Sequence, residues 1–166
     1  MKIEAHFKPL PTSADHNCFG CSPVNEAGLR MAFFRHADAV YSRVVVPEHL
    51  GGWNNVAHGG VVSAILDETM SWAALVLLKR LGFTQRMSVE FKKTVAVGAT
   101  METESRVRAV KDDREAVVEA VLTDPEDNVC AVSEGTFRIF SPAVAKRLKI
   151  VDDKTLRWFY GLFQDA

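Results

Sequence analysis

The stretch Val56–Arg80, "VAHGGVVSAILDETMSWAALVLLKR", decides the fold. It predicts one long helix over residues 60–81, with Gly82 as the C-terminal cap. Apolar residues occupy nearly every face of that helix, which is typical of a helix surrounded by protein. Asp67 and Glu68 interrupt the apolar run, and buried carboxylates are rare unless they are paired or used.

The composition is that of a single globular domain. The chain has 166 residues, a net charge of −1, 48% apolar residues and 25% charged residues, so no overall field points to nucleic acid or to an anionic membrane. Residues 61–78 have the length of a membrane span, but two central acids would each cost roughly 2.5–3.5 kcal/mol on an insertion scale. We therefore expect neither a nucleic-acid partner nor a membrane partner.

Three cysteines bear on the compartment and on metal binding. Their odd number, and a start without the apolar core of a secretory signal, predict a reduced, cytoplasmic protein. Cys18 and Cys21 in "CFGC" would need His16 and a fourth ligand to form a structural zinc site, and no second CxxC or HxxxH pair supplies it. We favour a packed loop and expect no metal and no cofactor.

The apolar periodicity predicts an α+β fold in which one long central helix packs on an antiparallel sheet. Two apolar runs before the helix form a hairpin, and a change of period to two after it predicts four consecutive antiparallel strands. The turn residues of "KDD" and "DPED" separate the later strands. The predicted strands are residues 29–36, 40–47, about 87–97, 100–110, 114–123 and 128–140.

The two ends differ from this central domain of residues 29–140. Residues 1–28 are rich in Pro, Gly, Ser and Asn and predict an irregular segment. Residues 141–166 predict an amphipathic helical extension, with Asp152 or Asp153 as N-cap, that covers the domain or a neighbouring subunit. Its apolar face comprises Leu156, Phe159, Tyr160 and Phe163.

The start of the long helix, "HGG", predicts a site for an anion or a developing oxyanion. Free N–H groups in the first turn and the positive end of the helix dipole favour negative charge there. Gly59 and Gly60 also let a bulky substrate approach the backbone. His58 either caps the helix or orients the turn and the substrate carbonyl, and the residues leave both roles open.

Helix geometry separates these glycines from the first acid. Asp67 follows Gly59 by eight residues, which corresponds to ~12 Å of rise along the helix axis. The two residues point in directions that differ by ~80° around that axis. One helix therefore cannot bring both groups to a single carbonyl, so we expect a two-fold dimer whose sites combine amides from one subunit with the acid of the other. Glu68 lies ~100° from Asp67, and Ser71 lies one turn after Asp67 on the same face.

Three stretches resemble one known family. "HGGVVSAILDE" is similar to the HGG-x(6)-D/E signature of the phenylacetate-pathway (PaaI-like) acyl-CoA thioesterases. "CFGCSPVNEAGLRMAFF" resembles the opening of one branch of that family, and "MSVEFKKTVAVGATMETESRV" resembles one of its strands. The resemblance covers roughly residues 18–140 and implies a hotdog fold, in which an antiparallel sheet wraps a long helix.

The resemblance also implies the reaction, which is hydrolysis of acyl-CoA thioesters in homodimers that are often paired as tetramers. Carried over by position, Asp67 is the nucleophile or general base. The Gly59 amide polarises the thioester carbonyl, with Gly60 beside it, and Thr84 helps to position water. Ser71 lies where some members have a helper hydroxyl.

The substrate-binding residues follow from the same comparison and from the chemistry of an acyl-CoA substrate. Some members have an asparagine six residues before the histidine; that position is Gly52 here, and Asn54 or Asn55 is its substitute. The lysines after the first strand beyond the helix are partners for CoA phosphates, and an apolar wall beside the helix lines the acyl slot. The predicted substrate-binding residues are Asn55, Glu68, Met70, Ser71, Lys92 and Lys93.

Two other functions stay open. An enoyl-thioester hydratase or dehydratase of the same fold would use His58 with Asp67 for proton transfer, although the proline-rich turn after the histidine of such enzymes is absent. A non-catalytic acyl-CoA-binding protein gains nothing from an uncompensated buried acid. Acyl-CoA hydrolysis is the function that we expect.

Overall fold

The structure, a computed structural model, describes residues 3–163. The first two residues of the predicted N-terminal segment and the last three of the predicted tail lie outside this range. Within it the chain forms seven strands, three α-helices and a short 3₁₀ helix, Glu48–Leu50. The strands are β1 Lys8–Leu10, β2 Ala32–His36, β3 Ala39–Val45, β4 Leu81–Phe91, β5 Thr100–Asp112, β6 Glu115–Thr123 and β7 Val129–Phe140; the helices are α1 Gly59–Leu78, α2 Pro142–Arg147 and α3 Asp153–Gly161.

The seven strands form a single antiparallel sheet in the order β1-β2-β3-β5-β6-β7-β4. The predicted hairpin and the strands after the helix are therefore confirmed. Strand β4 does not pair with β5, its neighbour in sequence, but crosses to the far side and pairs with β7. That crossing places β4 at the edge of the sheet, with one side free of strand partners among residues 3–163.

Helix α1 packs against the concave middle of the sheet, as the apolar pattern predicts. Its inward side chains are fully buried with those of β3, β5, β6 and β7. Within this buried interface the hydroxyls of Thr69 and Thr103 are hydrogen-bonded at 2.9 Å, and Thr69 also donates to the Ile65 carbonyl at 2.8 Å. By length and hydropathy α1 could cross a membrane, but 56% of that stretch is buried in the protein, and a core helix has the same composition.

The ends of α1 differ from the prediction. The helix begins one residue earlier, at Gly59, and its C-cap is Lys79, which adopts the left-handed conformation with a φ of 53°. The predicted cap, Gly82, is wrong because β4 begins at once at Leu81 and Gly82 pairs with Ile139. The predicted strand of residues 87–97 also ends sooner, at Phe91.

The residues that follow β4 fix the loop before the helix. The carbonyl of Val95 accepts a 2.8 Å hydrogen bond from the Ala57 amide, and the Val97 amide donates to the Asn55 carbonyl at 3.0 Å. These bonds tie the start of α1 to the end of β4. The sheet therefore holds the "HGG" turn even though that turn is largely exposed.

The terminal segments contain more structure than the sequence predicts. Residues 3–28 are mostly irregular, but β1 adds a short strand to the edge formed by β2. The tail is two helices rather than one, with a left-handed residue, Lys149, between them. Asp152 is the N-cap of α3, as predicted, and accepts from the Thr155 amide at 2.7 Å. Tyr160, which was predicted on the apolar face, is 52% exposed.

Candidate active site

The histidine of "HGG" caps helix α1. The backbone of His58 is extended, and its Nδ1 accepts a 3.0 Å hydrogen bond from the Gly60 amide. Its own amide donates to the Leu50 carbonyl, and its carbonyl accepts from the Val61 amide at 2.9 Å. Of the two roles that the residues left open, the geometry supports capping, which satisfies one of the free donors of the first turn.

The Gly59 amide is the donor that remains. It makes none of the hydrogen bonds found among residues 3–163, and it lies at the positive end of a 20-residue helix. A Cβ at Gly59 would have only the ring of Phe91 within 4 Å, at 3.7 Å. The amide is thus accessible to an incoming carbonyl oxygen, and Phe91 at the end of β4 forms one wall of the approach.

Asp67 lies two turns further along α1 and contacts β4. The hydroxyl of Thr84 donates a 2.6 Å hydrogen bond to Asp67 Oδ1, and both side chains are half-buried. Thr84 stands at an irregularity in the pairing of β4 with β7, immediately before the register shifts between Thr84 and Arg86. Such an irregularity re-aims a side chain, here toward the helix. The carboxylate is therefore oriented by a fixed hydroxyl.

Three other predicted residues lie on α1 or directly after β4. Ser71 is half-buried one turn after Asp67, and its hydroxyl makes none of the hydrogen bonds found in the described chain. Lys92 and Lys93 directly follow Phe91, so they lie near the helix start. Lys92 forms an ion pair with Glu90 at 2.9 Å, and Lys93 forms one with Asp124 at 3.5 Å. Both lysine side chains are exposed and can bind a phosphate group in place of these carboxylates.

The remaining predicted residues fit the site less well. Asn55 is exposed in the loop before α1, with its carbonyl bonded to Val97. Met70, predicted as a wall of the acyl slot, has no exposed surface, and its Cε lies 3.3 Å from the Cβ position of Gly135. In this chain Met70 is a core residue, because its face of α1 is turned to β7.

Glu68 is the clearest departure. It was predicted to bind substrate, but it faces away from Asp67 and packs under the "CFGC" segment. The indole of Trp72 donates to its Oε1 at 3.3 Å, and the Sγ of Cys18 lies 3.6 Å from the same oxygen. Burial raises the pKa of Glu68 to about 7. A hydrogen bond between the two sulfurs lowers the pKa of Cys18 and raises that of Cys21.

Comparison with known proteins is consistent with this arrangement. Residues 54–131, which contain the "HGG" turn, Asp67 and Thr84, match the thioesterase superfamily. The chain has a hotdog fold, and this stretch of it is similar to the thioesterase superfamily. No curated protein matches it.

Solved structures share this fold. The thioesterase superfamily protein RHA08564 has a TM-score of 0.65 at 20% identity, over 70% of this chain and 57% of that chain. The conserved protein PA5202 from Pseudomonas aeruginosa has a TM-score of 0.57 at 26% identity, over 63% of this chain and 82% of that one. A hypothetical thioesterase from Streptococcus pneumoniae, solved with coenzyme A, has a TM-score of 0.59 at 15% identity, over 64% and 84%. The identities of 20% and 15% are too low to establish more than the fold.

Proposed function

We propose that this chain hydrolyses acyl-CoA thioesters to a free acid and CoA, as a PaaI-like thioesterase. The observation that carries the proposal is the hydrogen-bonded pair Asp67–Thr84 on the exposed side of α1, within a stretch similar to the thioesterase superfamily. The unengaged Gly59 amide at the start of the same helix supplies the second element of the reaction. The coenzyme A bound by the Streptococcus pneumoniae protein of the same fold supports the choice of thiol.

The reaction follows from where charge develops. Attack on the thioester carbon places negative charge on the carbonyl oxygen, which the Gly59 amide and the helix dipole stabilise. Asp67 either removes a proton from the attacking water or attacks the carbon itself to form an anhydride that water then opens. In both routes the carbon–sulfur bond breaks, the CoA thiolate leaves and takes up a proton, and the Thr84 hydroxyl holds the carboxylate in place.

The site requires two copies of the chain. Gly59 and Asp67 of one helix are separated by ~12 Å of helix rise, too far to act on one carbonyl. The free edge of β4 supports a homodimer, because an exposed strand edge is a template for pairing with a second copy. That edge also presents two apolar side chains, Phe83 and Phe91, which are 52% and 54% exposed. In such a dimer, or a dimer of dimers, each site takes its amide from one subunit and its acid from the other.

The test is CoA release from a panel of acyl-CoAs of different chain length and aromatic character. CoA is separated by chromatography rather than detected with a thiol reagent, because Cys18 itself is accessible to such a reagent. Wild-type protein should release CoA, and the isosteric variant Asp67→Asn should be slower by several orders of magnitude. Equal rates for the two proteins would contradict the proposal.

The two alternatives give different products in the same assay. A hydratase would convert crotonyl-CoA to its 3-hydroxy thioester without release of CoA. A binding protein would bind acyl-CoA saturably, release no CoA and be indifferent to Asp67→Asn. Neither outcome is expected, since an oriented half-buried carboxylate serves hydrolysis better than binding alone.

A further inference from the structure

The "CFGC" segment gathers three metal-binding side chains at a place apart from the Asp67–Thr84 pair. The Sγ atoms of Cys18 and Cys21 and a carboxylate oxygen of Glu68 all lie within 4.8 Å of one another. In a tetrahedral zinc site, Zn–S bonds of ~2.3 Å and Zn–O bonds of ~2.0–2.2 Å place neighbouring ligand atoms ~3.5–3.8 Å apart. The measured 3.6 Å between Cys18 Sγ and Glu68 Oε1 falls in that range.

Glu68 has no cation to balance its charge. Its contacts in the described part of the chain are the Trp72 indole and the two sulfurs, and none of the ion pairs among residues 3–163 includes it. A carboxylate inside a protein is ordinarily paired with a cation or bound to a metal. Two thiols do not supply that charge, whereas a divalent ion between the three groups would.

The backbone around the cysteines is shaped to this cluster. A Cβ at Gly20 would lie 2.6 Å from the Cδ of Glu68, so only glycine lets the loop approach the carboxylate. The Cys21 thiol, together with the backbone N–H groups of Cys21 and Gly20, lowers the pKa of the Cys18 thiol. Donors of this kind stabilise a thiolate and orient it as a ligand. Two backbone bonds hold the loop in place, from Leu29 to Phe19 at 2.8 Å and from Met31 to Gly20 at 3.0 Å.

We propose that Cys18, Cys21 and Glu68 bind a divalent cation of the zinc class, with a fourth position open beside half-buried Cys18. Two thiolates favour zinc over magnesium or calcium, and a Cys-x-x-Cys spacing is usual in zinc sites. Binding replaces the two thiol protons, which are released to solvent, by the metal. The ion would fasten the N-terminal segment to α1, one residue from Asp67, without taking part in the reaction.

Titration with Co²⁺, a spectroscopic substitute for zinc, tests the site on the reduced, metal-free full chain. We expect one equivalent to produce a thiolate-to-cobalt charge-transfer band and the intense visible bands of tetrahedral coordination, and zinc to displace both. Cys18→Ser and Cys21→Ser should each abolish the charge-transfer band or reduce it by about half, since one of two thiolates is lost. Cys130→Ser is the matched control, a buried free cysteine on β7 whose loss should leave the spectrum unchanged.

Two further measurements do not depend on the folding of these variants. Zinc should protect Cys18 and Cys21 of the wild-type chain from alkylation, as mapped by peptide mass spectrometry, while leaving Cys130 unaffected. Trp72→Phe, which removes the N–H bonded to Glu68 together with part of a buried ring, should weaken cobalt binding by about tenfold or more. Absence of the charge-transfer band at stoichiometric cobalt would overturn the proposal. So would formation of a Cys18–Cys21 disulfide at the same rate with and without saturating zinc, because the pair would then be a redox couple.

Discussion

The hydroxyl of Thr84 donates a 2.6 Å hydrogen bond to Oδ1 of Asp67, across the interface between the central helix and the edge strand β4. The bond fixes one oxygen of the carboxylate and leaves the other for water or substrate. It joins residues 17 positions apart on different elements, so it depends on the way in which β4 crosses back along the helix. The Asp67–Thr84 pair is thus a product of the fold rather than of a local motif.

Removing this hydroxyl should slow the reaction without weakening substrate binding to the same degree. We expect Thr84→Val, which keeps the side-chain shape, to lower kcat by about tenfold to a hundredfold, since a positioning group is lost. Thr84→Ser keeps the donor and should retain most of the rate. Steady-state kinetics of both variants separate kcat from KM. A Thr84→Val enzyme with wild-type kcat would show that the bond has no role in turnover.

Replacement by alanine should have different effects at the two glycines of the helix start, Gly59 and Gly60. A Cβ at Gly59 meets only the Phe91 ring at 3.7 Å, so Gly59→Ala should fold normally but place a methyl group where the carbonyl must approach. A Cβ at Gly60 would lie 3.1 Å from Nδ1 of His58 and disturb the cap. We expect loss of activity at unchanged thermal stability for Gly59→Ala, and lower stability for Gly60→Ala. Full CoA release by Gly59→Ala would exclude this amide from the site.

His58 should matter for stability rather than for proton transfer. His58→Ala removes the acceptor for the Gly60 amide and should lower the free energy of unfolding by about 0.5–2 kcal/mol. Asparagine is a strong N-cap but does not carry protons near neutral pH, so His58→Asn should restore both stability and activity. Denaturant unfolding and the rate of CoA release measure the two effects. If His58→Asn folds like the wild type and is inactive, the histidine acts directly on the substrate.

Mixed dimers test whether the site spans two subunits. A dimer of one Gly59→Ala chain and one Asp67→Asn chain has one doubly defective site and one site in which both groups are native. Differently tagged chains, co-expressed and purified through both tags, should therefore recover about half of the wild-type activity per dimer. Confirmed mixed dimers as inactive as either parent would place both groups in a single chain's site.

The edge of β4 provides a separate test of assembly. Phe83→Lys puts a charge on the free strand edge and should shift the protein to monomer, as measured by light scattering, with loss of activity. Val110→Lys is the matched control, because Val110 is equally exposed, at 52%, but lies on β5. A dimer that tolerates Phe83→Lys would assemble through a different surface.

The sequence predicts most of the elements and several details of the site. Periodicity predicts α1 and the strands from β2 to β7, although β4 begins and ends earlier than predicted, and the capping preference of aspartate predicts Asp152 or Asp153 at the start of α3. Periodicity does not predict the pairing of β4 with β7 or the left-handed conformation of Lys79, because packing between distant segments decides both. Asp67 and Thr84 came together only through the resemblance to a family.

Glu68 shows where such reasoning fails. A turn of ~100° per residue predicts different surroundings for Asp67 and Glu68, but helix geometry does not say which segment Glu68 contacts. Its partner Cys18 lies 50 positions earlier, and no periodicity relates the two. The expectation of no metal rested on counting Cys and His ligands, and a carboxylate from the central helix was not part of that count.

The pairing of β4 with β7 also determines when the sheet can be completed during synthesis. Phe91 pairs with Ala131 and Leu81 with Phe140, so the edge strand has no partner until β7 leaves the ribosome, and its pairing is complete only with the last residue of the sheet. Until then one flank of α1 and the strand that carries Thr84 lack their native contacts. Contacts between residues far apart in sequence form slowly. A nascent chain halted before residue 129 would therefore lack the partner strand of β4, and we expect chaperones to bind it.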